Sequence, residues 1–163
     1  MELSNPEILK SEMLNVALVI YAIRLILWIL YAKSIVDTIA LIKVENRMIS
    51  AKMGWLVAVP IVNIYYNFVC TRALSDSLTN EFYDRKIAEE ENPGRKAGIT
   101  YAWFFLLAWV PMFPSFLVLT FGILSLVYFV GHWMKVVHFK HIIEAHNQFL
   151  DQQPTEDHHD IIR

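Results

Sequence analysis

Residues 97–134 contain no Asp, Glu, Lys or Arg. As one helix this run would extend about 57 Å at ~1.5 Å per residue, nearly twice the roughly 30 Å hydrocarbon core of a bilayer. Two crossings joined by a tight turn solve the mismatch. Pro111, Met112, Phe113 and Pro114 stand where that turn is needed, so the run divides into spans at 97–112 and 115–134. The first of these is short, and a re-entrant segment is its rival. A chain of 163 residues, 56% hydrophobic with mean hydropathy +0.39, cannot hide such a run inside a polar shell.

Three further stretches complete the reading. Residues 14–32 are apolar apart from Asn15 and Arg24 and long enough to cross. Glu2, Glu7 and Glu12 outnumber Lys10 ahead of them, the wrong charge for a cleaved leader, so 14–32 reads as a retained anchor. Ser4 and Asn5 before Pro6 suit a helix start. Residues 54–70 form an uncharged second span, with a kink expected at Pro60. Between these two spans, 33–52 mixes apolar and charged positions and fits either a prolonged helix or an interfacial one.

After the second span, 71–91 reads as a polar helix closed by Asn92, Pro93 and Gly94. Leu74, Leu78 and Phe82 make one apolar stripe on it, a candidate partner surface. Arg72 with Asp76, and Glu81 with Arg85, are spaced for i,i+4 pairing. The last helix should continue amphipathically to about residue 150, leaving 151–163 as a polar tail.

The expected architecture is therefore all-α: one domain over 1–150, an integral membrane bundle of four transmembrane helices with cytoplasmic helical extensions. Gly122 and Ser125 would let the third and fourth spans approach closely. An even number of crossings puts both termini on one side. Lys33, Lys43, Arg47 and Lys52 fall on the other side, and the larger share of basic residues places the termini in the cytoplasm.

Few residues invite chemistry. Net charge is −2, so no basic field points to nucleic acid. Cys70 is the sole cysteine, which excludes an intramolecular disulfide. No catalytic triad, phosphate loop or paired-cysteine motif is present, and no cofactor is implied. Arg24 falls near the middle of the first span, where a charge costs roughly 2.5–3.5 kcal/mol. It reads as a snorkelling or packing arginine, or as an anion or lipid-headgroup site shared with Pro60, Asn63 and Tyr66. Pro60 frees a carbonyl one turn earlier, and Asn63 can bond across helices. His138, His141 and Glu144 step by three along one helix and form a candidate metal set.

Trp55, Pro60 and Asn63, followed by Ser75, Ser77, Leu78 and Glu81 and then Pro93 and Gly94, resemble a class of uncharacterised bacterial membrane proteins over about 45–135. That resemblance implies a four-helix membrane fold in a bacterial inner membrane and carries no activity. The function expected is a non-enzymatic accessory or scaffold protein. Its partners would be the lipid bilayer, another membrane protein or a second copy. The alternative is a small transporter or channel subunit with a polar site around Arg24 and Asn63.

Overall fold

The protein was analysed as a computed structural model describing residues 6–152, with side chains from Lys10 onward. The expected cap at Ser4 and Asn5, and most of the tail, including His158 and His159, lie outside the described residues. Four α-helices carry the fold: α1 (Pro6–Leu41), α2 (Val62–Asp84), α3 (Arg95–Leu107) and α4 (Ser115–Gln152). Two 3-10 segments, Val44–Asn46 and Ala51–Ala58, join α1 to α2. No strand occurs among the described residues.

Three helix boundaries have an identifiable cause. α1 is described from Pro6 onward. At its other end Arg47 reaches back: Nε donates to the Ile42 carbonyl at 2.8 Å and a terminal nitrogen donates to that of Ala40 at 2.9 Å. These bonds occupy carbonyls that the finished helix leaves open. α2 closes with Lys86 in the left-handed region (φ 55). The Ile87 amide bonds the Phe82 carbonyl at 2.9 Å and the Lys86 amide that of Tyr83 at 3.1 Å, a Schellman ending. Gly94, at φ 69, turns the chain into α3. Its lack of a side chain makes that conformation cheap.

α1 and α4 run parallel. Tyr31 rings contact Phe129 and Trp133, the Trp133 indole donates to Ser34 Oγ at 2.9 Å, and Asp37 meets Lys140. Contacts thus advance together along both helices. α3 runs against α4, with Tyr101 on Phe129 and Phe104 on Tyr128. It also runs against α2, pairing Phe68 with Trp103, Asn67 with Tyr101, and Asp76 with Arg95.

The bundle has two unlike ends. Toward the N-terminal halves of α1 and α4 the surface is largely apolar, interrupted by Lys10, Glu12 and Arg24: Leu14, Leu18, Ile23, Phe116, Leu119 and Val127 are all exposed. Beyond Ala32 and Met134 the same helices turn amphipathic and enclose a packed core. Ile35, Ile39, Leu74, Leu78, Phe82, Phe139 and Ile143 are buried there. Lys10–Leu41 and Ser115–Gln152 are long and apolar enough to cross a membrane.

Four expectations change. Residues 54–70 do not form one helix. The 3-10 segment descends along α1, with Gly54 against Ile35 and Val36. The chain then reverses at Pro60, Ile61 and Val62 and climbs back as α2. The reversal is a γ-turn: the Val62 amide bonds the Pro60 carbonyl at 2.8 Å with Ile61 at φ 69, ψ −53. Departure and return meet at one level, where the Lys43 amide bonds Glu81 Oε2 at 3.0 Å. Residues 33–52 accordingly split, the first part prolonging α1 to Leu41 and the remainder folding into 3-10 turns.

Second, the start of α1 and the end of α4 lie at opposite ends of the bundle, because the two helices are parallel. Third, the stripe Leu74, Leu78 and Phe82 is not a partner surface. These side chains are 2%, 1% and 3% exposed, and Phe82 packs edge-on against Phe139. The helical period marked a buried face correctly, but its partner is this chain's own α1 and α4. The third helix is also shorter than its expected span: α3 stops at Leu107, and a turn through 108–114 covers the remaining distance to α4.

Candidate functional site

Arg24 opens onto a cavity of about 510 Å³ between α1, α3 and α4. α1 contributes Ile20, Arg24, Leu27 and Trp28, positions three or four apart that share one helix face. α3 and the turn after it contribute Tyr101, Phe105, Ala108 and Trp109 at the same spacing. α4 contributes Gly122, Ser125, Leu126 and Phe129. The space exists because small residues face it: a Cβ built on Gly122 meets nothing within 4 Å. The close approach expected at Gly122 occurs instead at Gly98. There a Cβ would stand 2.5 Å from Thr71 and 2.6 Å from the His132 ring.

The guanidinium lies on an aromatic shelf. Its carbon is 4.7 Å from the Trp28 ring centre, 5.1 Å from Phe105 and 6.0 Å from Trp109. Arg24 is exposed, where a cation–π contact is worth about 0.5–1 kcal/mol, less than the roughly 2.5–3.5 kcal/mol that a charge costs at the centre of a membrane span. The rings therefore offset only part of such an expense, and they accept none of the directed hydrogen bonds of the guanidinium. A guanidinium carries five N–H donors, and Arg24 makes no hydrogen bond or ion pair among the described residues. Tyr101 and Ser125 are the hydroxyl-bearing residues of the lining. Tyr101 OH already accepts from Asn67 Nδ2 at 3.2 Å. An apolar cleft with one unpaired cation at its wall suits an amphiphile whose polar end bears acceptor oxygens.

The other residues expected to share this site do not line it. Asn63 and Tyr66 are buried on α2, while Pro60 is exposed at the γ-turn. Asn63 instead starts a row along one α2 face with Asn67, Thr71 and Ser75, each buried and each with a polar side-chain atom left unbonded. The metal set does not assemble either. His141 Nδ1 meets Glu144 Oε2 at 3.1 Å, Glu144 also faces Lys140, and the His138 ring lies against Phe139. Among the described residues no three His, Cys, Asp or Glu side chains converge as ligands.

Sequence reasoning reached Arg24 but missed its surroundings. Trp28 was within reach, being one helical turn from Arg24. Tyr101, Phe105 and Trp109 recur every four residues and mark one aromatic face. Nothing local says that this face turns toward Arg24, because the pairing is set by the α3–α4 hairpin. The chain matches no family model, no curated protein and no solved structure.

Proposed function

We propose that this chain is an integral membrane accessory protein that acts by binding an anionic amphiphile in the Arg24 cavity. The carrying observation is an exposed arginine with no acceptor among the described residues, held on an aromatic shelf at the wall of an apolar cleft. The cleft opens between exposed Ile20, Ile23 and Leu126, so a chain in the surrounding lipid reaches it sideways. Arg24 then holds the head group, and the rings hold the first carbons of the tail.

The membrane placement in this reading has three crossings and one re-entrant hairpin. α1 crosses once, 51–70 enters and leaves on the same side, and α3 with α4 crosses back and forth. Every Lys and Arg in the sequence except Lys10, Arg24 and Arg163 then belongs to the charged end or its boundary. The positive-inside rule puts that end in the cytoplasm with far greater asymmetry than four spans give. The C-terminal end of α4 is cytoplasmic and the start of α1 is not.

Trp28 and Trp109 flank Arg24 and serve as reporters. Brominated oleate added to the detergent-purified chain should quench tryptophan fluorescence, and its brominated methyl ester should do so far less. Arg24→Gln should abolish the difference between the two. Equal quenching by acid and ester in the wild-type chain overturns the reading.

A further inference from the structure

A second cavity lies on the other side of α3, at the boundary between the two ends of the bundle. It measures about 630 Å³ and is lined by Arg72, Asn92, Arg95, Lys96, Ile99 and Thr100. Three cations converge there. Arg95 is engaged, its terminal nitrogen donating to Asp76 Oδ1 at 3.1 Å and to Asn92 Oδ1 at 3.4 Å. Arg72 and Lys96 are exposed and form no ion pair among the described residues. One carboxylate against three cations leaves the pocket positive.

Its depth is fixed by its neighbours. Gly98, two residues from Lys96, lies against both Thr71 and His132, and Lys135 is the first charge along α4. The pocket therefore opens where lipid-like surface gives way to polar surface. One turn deeper on the same seam, Phe68 on α2 and Trp103 on α3 pack edge-to-face at 5.2 Å. Trp103 is 53% exposed, and Tyr65, on the same α2 face, is 73% exposed. Cationic above and aromatic below, the seam is an amphipathic groove.

We propose that the α2–α3 seam binds one anionic phospholipid, with its phosphodiester between Arg72 and Lys96 and an acyl chain over Phe68 and Trp103. Basic pockets between membrane helices on the cytoplasmic side suit phosphate head groups. A free phosphate uses the cations alone and leaves the aromatic surface below without an occupant. This site shares no residue with the Arg24 cavity.

The test is native mass spectrometry of the full chain released from nanodiscs holding equal phosphatidylglycerol and phosphatidylcholine. The wild-type chain should retain phosphatidylglycerol in preference by about thirtyfold, as two basic contacts supply. Made in an Arg24→Gln background, so that the other cavity holds no anionic lipid, the double variant Arg72→Gln, Lys96→Gln should lose that preference, whereas Arg24→Gln alone should keep it. Excess inorganic phosphate should not displace the lipid. Equal retention of the two lipids by wild type overturns the proposal, as does a preference that survives the double variant. Displacement by inorganic phosphate alone makes the pocket a free-anion site and overturns the lipid assignment. Loss of the oleate effect in Arg24→Gln with phosphatidylglycerol retained separates the two sites.

Discussion

Glu81 is the most heavily bonded side chain in the charged end. It is fully buried. It accepts from Arg85 Nε at 2.6 Å, Asn46 Nδ2 at 2.9 Å and the Lys43 amide at 3.0 Å. Burial pushes its carboxyl upward, but the bonds from Asn46, Arg85 and Lys43 together outweigh burial and hold it below the usual carboxylate range. A lowered folded value means the contribution is complete above the unfolded pKa and is lost as pH falls through the folded one. Glu81→Gln should therefore destabilise the chain by about 3 kcal/mol at neutral pH. Thermal unfolding in detergent from pH 7 to pH 3 should show the two proteins converging at the acidic end. A gap that stays constant with pH would mean the charge is irrelevant. The pair with Arg85 was readable from its i,i+4 spacing. Asn46 and Lys43 were not, since only the hairpin brings them across 35 and 38 positions of chain.

At the scale of an element, the hairpin running from 51 through α2 departs furthest from expectation. A proline within an uncharged run signals a kink when the chain continues and a reversal when it does not. Local sequence does not separate these outcomes. The reversal here places a β-branched residue, Ile61, at positive φ, where such side chains are strained by roughly 1–3 kcal/mol. Ile61 is 78% exposed, so removing its side chain loses little packing. Ile61→Gly should raise stability by about 1 kcal/mol, net of glycine's greater freedom in the unfolded chain. Thermal unfolding in a fixed detergent measures this, and an unchanged or lower midpoint would show the turn to be unstrained. The stripe on α2 teaches a related lesson. Leu74, Leu78 and Phe82 announced a buried face, since period alone tells how a helix orients, but what covers that face is a tertiary fact.

For the whole molecule, the length of uncharged chain marks segments long and apolar enough to cross a membrane and is silent on parity. Counting apolar runs yields four segments. Only the pairing of α1 with α4 in parallel, and the return of α2 to the level of Lys43, reduces the proposed crossings to three. The distinction is measurable with single cysteines placed in a Cys70→Ala background. Lys52→Cys, Gln148→Cys and Met112→Cys report the hairpin, the α4 end and the α3–α4 turn. With three crossings, Lys52 and Gln148 face the same compartment and Met112 the opposite one. With four, Lys52 joins Met112 and faces away from Gln148. A membrane-impermeant maleimide applied to right-side-out and inverted vesicles should label positions 52 and 148 together in inverted vesicles. Position 112 should label in right-side-out vesicles. Labelling of 52 with 112 would restore the fourth crossing. It would also divide the basic residues between two compartments and move the Arg72 and Lys96 pocket away from the Lys33 to Lys52 segment.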